Sequence, residues 1–396
     1  MVNGPPSYAA TSTTTPIVNR PQLNGHRTAS SDAVTRTKIL LLGLRRAGKT
    51  SIQQVLFNNL PPKQTFYLET TMRTVKHAFD TVIPLEIWDC PGNITVETLG
   101  APLSHFSTMI FVIDIRDLYN NPISKLVEFI VAAYRENPNM SLEVFVHKAE
   151  KLQEDDKIEN FRQIHERVSD RLLDISPEYE QIQLNFHLTS VYDHSLHEAF
   201  SKVLHKLVES LPYLEDLLNV FCANSQSPKA FLFDTTSRLY IATDASPVDS
   251  ATHNLCCDYL QMLNSFGSLY KSATPHSRKP LPFTPPPSAS STSSLSPVPP
   301  RSSSSTSPGT PTSSTTRLTP HPSKDLFYPS AATSLHPSTP GTTLTYHLIT
   351  SQLALLALLP TSVYEGRRGL LEFNVVFFRE GVQEICEVEK ETRDGR

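Results

Sequence analysis

The chain has 396 residues, with 35 Lys plus Arg against 39 Asp plus Glu and a formal net charge of −4. That length accommodates two to three domains of roughly 100–200 residues each, and the near-balanced charge argues against bulk binding to nucleic acid or an anionic membrane. Hydrophobic residues at 39% and charged residues at 19% are both low for a wholly globular chain, so part of it is expected to be disordered.

The five cysteines (Cys90, Cys222, Cys256, Cys257 and Cys386) show neither metal-ligand spacing nor a dense disulfide pattern, which makes a reducing compartment the expectation. The N-terminus lacks the apolar stretch of a secretory signal. The longest apolar run, Leu353 to Leu359, is far short of the ~20 residues a membrane span needs. Neither a myristoylation start nor a CaaX box is present, so no direct span or lipid anchor is expected and membrane association would run through a partner.

Residues 1–36 are rich in Ser, Thr, Pro and Asn without periodicity and read as a disordered tail. From 37 to 212, apolar runs alternate with amphipathic helices. The runs are 37–42, 83–88, 108–113, 142–147 and 182–188, and the alternation predicts a mostly parallel sheet with helices on both faces. Leu196, Ala199, Phe200, Val203, Leu204, Leu207, Val208 and Leu211 hold one face of the helix that closes this domain.

Between the first two runs lies Gly43-Leu44-Arg45-Arg46-Ala47-Gly48-Lys49-Thr50, which fits G-x-x-x-x-G-K-[ST]. A strand before it and a helix beginning at Ser51 supply the context that makes this pattern a phosphate site. Backbone N–H groups of the loop and the helix start would converge on phosphate oxygens. Lys49 would reach the β- and γ-phosphates, and Thr50 would ligate Mg²⁺. Asp89 and Gly92, in Trp88-Asp89-Cys90-Pro91-Gly92, fit D-x-x-G. Asp89 would hold Mg²⁺ through water and the Gly92 N–H would sense the γ-phosphate. Thr70 and Thr71 lie in the loop between, where the Thr71 hydroxyl would close over the metal or remain an ordinary loop threonine. After the 142–147 run come His147, Lys148, Ala149 and Glu150, where a base-reading segment belongs. His147 reads either as a nucleotide contact or as a structural residue. Ser190 and Val191, after the last run, stand where backbone N–H groups would meet the base.

A second domain is predicted over 213–274 and 341–390. Leu214, Leu217, Leu218 and Phe221 make a helical stripe, 230–233 and 239–242 a hairpin, and 250–270 a helix. Residues 342–348 and 352–359 read as strands. Leu371, Val375, Phe378, Val382 and Ile385 mark a final helix before a short tail at 391–396. Residues 275–340 carry 16 of the 32 prolines, mixed with Ser and Thr, and one acidic residue, Asp325. Such a segment buries too little apolar surface to offset its ordering entropy and is predicted to be a disordered loop.

The chain resembles Rag GTPases of the C/D type and their fungal counterparts. The resemblance rests on Leu42 to Arg46, Trp88 to Gly92, Phe145 to Lys148, Leu188 to Ser195, Lys229 to Asp234, Ser246 to Asp249 and Gln383 to Val388. It implies a Ras-like G domain followed by a roadblock-type α/β domain, with GTP or GDP and Mg²⁺ as ligands. On its pattern Gly43, Arg45, Arg46, Ala47, Gly48, Lys49, Thr50, Ser51, Thr71, His147, Lys148, Glu150, Ser190 and Val191 would bind nucleotide. Thr50, Thr71 and Asp89 would serve the metal, and Gly92 and Asn93 would serve hydrolysis. The resemblance further implies a heterodimer with a Rag A/B-type partner, joined through the roadblock domains. That dimer would be tethered by a scaffold complex at the vacuole or lysosome surface and would relay amino-acid sufficiency to TOR complex 1.

Two positions depart from the family pattern. Asn93 stands where glutamine is usual, which bears on water positioning, and Glu150 stands where aspartate is usual, which bears on guanine selectivity. The expected activity is a slow GTP hydrolase dependent on an activating protein. The rival reading is a hydrolysis-deficient, nucleotide-bound scaffold subunit of the same heterodimer.

Overall fold

A computed structural model describes residues 36–80, 83–118, 120–267, 330–335 and 341–394. Strands β1 (Thr37–Gly43), β2 (Val75–Asp80), β3 (Pro84–Asp89), β4 (Thr108–Asp114), β5 (Ser141–His147) and β6 (Leu184–Thr189) form one six-stranded sheet, in the order β2-β3-β1-β4-β5-β6. All neighbours pair in parallel except β2 with β3. Helices α1 (Lys49–Phe57), α2 (Asn120–Glu136), α3 (Glu154–Ile175) and α4 (Ser195–His205) cover its two faces. Strand residues alternate sides: Ile39 and Leu41 join the core built with α1 and α4, while Leu40 and Leu42 join the core built with α2 and α3.

The antiparallel strand β2 is absent from the predicted runs. Its sequence, Val-Lys-His-Ala-Phe-Asp, has no fully buried residue, so an edge strand there carries no apolar signal. Arg36, assigned to the disordered tail, forms an ion pair with Asp80 at 2.7 Å and is anchored to the end of this strand.

The second sheet, in the order β8-β7-β11-β10-β9, is antiparallel throughout. Its strands are β7 (Lys229–Asp234), β8 (Tyr240–Thr243), β9 (Ser330–Ser334), β10 (Thr342–Leu348) and β11 (Leu353–Pro360). Phe231 and Phe233 face α6 (Ser250–Gly267), together with Tyr240, Leu260 and Tyr346. Ala230 and Leu232 belong to the other core, shared with α5 (Leu211–Ser225) and α8 (Arg368–Asp394). A short α7 (Thr361–Gly366) leads into α8.

Two boundaries move. Strand β9 lies within the span predicted to be a disordered loop, because backbone pairing to β10, from Thr343 opposite Ser334 to His347 opposite Ser330, recruits a Ser/Ala segment that composition alone assigns to loop. Helix α8 runs through Asp394, past the predicted end at 390. Residues 1–35, 275–329 and 336–340 lie outside the described residues.

The two sheets share one continuous core. Phe57, Phe200, Val203 and Leu204 on the first sheet's helices join Leu218, Phe221, Leu239 and Ile241 of the second unit. Polar bonds cross the seam as well. The Tyr240 N–H donates to Ser201 Oγ at 3.0 Å, His194 Nε2 meets Asp258 Oδ1 at 2.8 Å, and Asn59 Nδ2 donates to the Thr236 carbonyl at 3.2 Å.

Burial is the leading cause that depresses several histidines. His147 falls to about 3, and His205, His253 and His347 each fall to about 4. The unfolded chain takes up a proton near 6.5 while the native chain does not. Their contribution is therefore complete above that pH and is lost as pH falls toward 4. Each histidine adds a slope of about 1.4 kcal/mol per pH unit inside that window. Denaturant midpoints should fall steeply between pH 6.5 and 5, before carboxylates titrate. A flat profile there would show that these rings reach water in the native state.

The strand β9 yields a second expectation. Deleting 275–329 retains every described strand, and loop-closure entropy changes slowly with length, so the melting temperature should change little. Extending the deletion to 335 bares the edge of β10 and should lower the melting temperature and promote association, read by thermal scanning and light scattering.

Candidate functional site

The first sheet delivers its chemistry at one edge. Strands β1, β3, β4, β5 and β6 end on Gly43, Asp89, Asp114, His147 and Thr189. Gly48 caps α1 in a left-handed conformation, φ 111°. A Cβ there would come within 2.6 Å of His147 Cδ2, so both backbone strain and space require glycine. The start of α1, with its free N–H groups, opens onto a cavity of about 660 Å³.

Arg45, Arg46, Gly48, Lys49, Thr50, Ser51, Thr71, Gly92, His147, Lys148, Glu150 and Val191 line this cavity. Gly43 lies outside this lining; its carbonyl and that of Leu44 accept from Lys49 Nζ at 2.9 and 3.0 Å. Ala47 is buried beneath the loop. Ser190 lies just behind the wall and donates from Oγ to Glu150 Oε2 at 2.7 Å. Asn93 sits on an exposed turn outside the cavity lining.

At the α1 end, Thr50 Oγ1 donates to Asp89 Oδ2 at 2.6 Å, and the Thr71 hydroxyl meets both Thr50 Oγ1 at 2.7 Å and Asp89 Oδ2 at 3.0 Å. Asp89 Oδ1 is buried without a partner. Two hydroxyls and a carboxylate form the oxygen-only donor set that suits Mg²⁺ rather than a softer metal, and the orphaned oxygen leaves acceptor capacity for a metal-bound water. Lys49 is 6% exposed. Burial lowers its pKa, and the Asp89 charge opposes that shift.

At the other end, His147 is buried as a neutral ring with Nδ1 3.0 Å from Thr189 Oγ1. It therefore supports Gly48 from below while bordering the cavity. Lys148 Nζ donates to the Arg46 carbonyl at 2.5 Å and to Asp114 Oδ2 at 2.9 Å. Arg116 grips the same carboxylate through Nε at 3.1 Å and Nη2 at 2.8 Å. Burial alone would raise the Asp114 carboxyl, but the hydrogen bonds from Arg116 and Lys148 outweigh it and hold it at about 2. Asp114 and Arg116 are missing from the sequence reading. The signal for Asp114 is its place at the end of the 108–113 run; for Arg116, which also borders the cavity, no motif marks it.

The stretch 38–260 matches the family described as the Gtr1/RagA G protein conserved region. The chain belongs to the Gtr/Rag family of GTPases. It is 42% identical over 237 residues to the GTP-binding protein gtr2 of Schizosaccharomyces pombe, covering 59% of this chain and 75% of that one. With human Ras-related GTP-binding protein C it shares 43% over 242 residues, 60% of each chain. Identity to gtr1 of S. pombe is 26% over 227 residues, 55% of this chain and 71% of that one. That gap places this Rag-type GTPase on the C/D, or Gtr2, side of the family. The first sheet is its Ras-like G domain, and the antiparallel sheet with its helices fits a roadblock domain.

Gly92 offers a direct probe of the site's packing. A Cβ there would stand 2.3 Å from Arg45 N and 2.8 Å from Arg45 Cα, and backbone cannot swing aside as a side-chain tip can. Gly92→Ala should lower stability by roughly 1–3 kcal/mol, measured as a denaturant midpoint. Gly369→Ala, on exposed helix with nothing near its Cβ, should be neutral or slightly stabilising. Equal effects from the two substitutions would refute the tight approach of Gly92 to the phosphate loop.

Proposed function

We propose that this GTPase is a guanine-nucleotide switch that hydrolyses GTP slowly, with help from an activating protein, and works as a heterodimer with a Rag A/B-type partner joined through the roadblock domain. In this reading the G domain spans 37–212 and the roadblock-type domain 213–274 plus 341–390. The dimer relays amino-acid sufficiency to TOR complex 1 from the cytoplasmic face of the vacuole or lysosome, tethered by a scaffold complex. Among the described residues no helix is long and apolar enough to cross a membrane.

The observation that carries the nucleotide assignment is the meeting of Thr50, Thr71 and Asp89 beside buried Lys49 in one cavity. Mg²⁺ held there would supply charge neutralisation between the β- and γ-phosphates. The chain's own residues do the rest. Loop N–H groups and Lys49 stabilise charge on the terminal phosphate. Lys148, braced by Asp114, lies beneath the base, and Glu150, fixed by Ser190, accepts from the base edge.

Asn93 favours a second reading. Its exposed position outside the cavity lining, on a side chain one methylene shorter than glutamine, suits a hydrolysis-deficient scaffold subunit. Catalysis by positioning can lose ~10²-fold for a misplacement near 1 Å. Single-turnover GTP hydrolysis should be very slow for the native chain and faster for Asn93→Gln, or else rescued by an activating protein. Equal rates for both chains with and without that protein would remove Asn93 from the mechanism. Identifying the nucleotide that copurifies tests guanine specificity separately.

A further inference from the structure

Helix α2 carries a lysine that no motif accounts for. Lys125 is half-buried between Ile123 and Leu126, which are wholly buried in the core, so its backbone is fixed. Its Nζ donates to the Gly92 carbonyl at 3.3 Å, across 33 residues of sequence. The partner is a neutral carbonyl rather than a carboxylate, so the positive charge is not cancelled by the bond. Gly92 is therefore held from two sides, by the phosphate loop, whose Arg45 backbone lies where a Cβ of residue 92 would stand, and by this ammonium.

The carbonyl of Gly92 and the N–H of Asn93 belong to one planar peptide group. Fixing the oxygen thus fixes the plane from which Asn93 departs, and the crowding of Gly92 against Arg45 limits how far its own N–H, in the preceding peptide, can turn about the Cα. We propose that Lys125 is a positioning residue of this GTPase, holding the Gly92–Asn93 peptide against the phosphate loop and thereby setting the preference for GTP over GDP. The proposal rests on the nucleotide reading of the cavity. Charge acts in the same direction as geometry. Lys125, bonded only to a neutral carbonyl there, sets a positive charge beside Gly92, which lines the cavity. A nucleotide with an additional phosphate gains more from that charge than one without it.

The test uses the full chain, titrated with fluorescent GTP and GDP analogues, comparing the native protein with Lys125→Met, Lys125→Arg and Lys49→Met. Lys125→Met should weaken GTP roughly tenfold, in line with loss of one charge-assisted hydrogen bond, and leave GDP little changed. Lys125→Arg, which keeps a charged donor, should restore most of the ratio. In the nucleotide-free chain, hydrogen exchange across 89–96 should quicken in Lys125→Met while the melting temperature holds. Lys125→Gln, a neutral donor, should fall between and serves in place of methionine if that variant does not fold. Equal loss of GTP and GDP, or an unaltered ratio with unaltered exchange, overturns the proposal. Failure of the native chain to bind either nucleotide, or no effect of Lys49→Met, instead overturns the nucleotide reading, while the exchange result still reports on the tether.

Discussion

The parallel pairing of β1 with β3 and β4 is the constraint on which the site depends. Leu41 sits opposite Asp89, and Gly43 sits opposite Val112. Because the strands run the same way, their last residues gather at one edge, the place where open α/β sheets bind ligands. A shift of one residue between β1 and β3 would turn Asp89 to the other face of its strand and separate it from Thr50. The apolar alternation of Ile39 to Leu42, each buried on its own side, holds that register, so core packing is also what aims the carboxylate.

Legibility in the sequence follows the kind of force at work. The phosphate loop, the D-x-x-G segment and the buried strands are written locally, in spacing and apolar runs, and could be read without a structure. Strands β2 and β9 could not. Both are edge strands stabilised by backbone bonds to one neighbour, and their sequences, Val75–Asp80 and Ser330–Ser334, carry no buried run. The Asp114 network was hidden for a different reason. Lys148 lies 34 residues from Asp114, and only the adjacency of β4 and β5 brings them together. Buried Glu143 makes the same point within the otherwise apolar stretch 142–146, bonded to His187 Nε2 at 2.8 Å and Lys206 Nζ at 2.6 Å.

The cavity also divides its labour by electrostatics. At the α1 end, hydroxyls cluster on one carboxylate whose other oxygen is unpartnered, an arrangement with capacity to spare. At the other end the carboxylates already have partners: Asp114 pairs with Arg116 and Lys148, and Glu150 accepts from the Ser190 hydroxyl. The first is poised to respond to what binds, while the second is rigid before binding. That division leaves one end of the cavity with open acceptor capacity while the other keeps its side chains paired.

The seam between the sheets has a mechanical consequence. With Phe57, Phe200 and Leu204 embedded in the same core as Leu218, Phe221 and Ile241, swinging one sheet against the other would have to open close-packed apolar contacts. A body anchored by its antiparallel sheet would carry the nucleotide cavity on a stiff strut. Its orientation would follow from the anchor, so a protein reading the phosphate loop would meet it at a fixed height and angle.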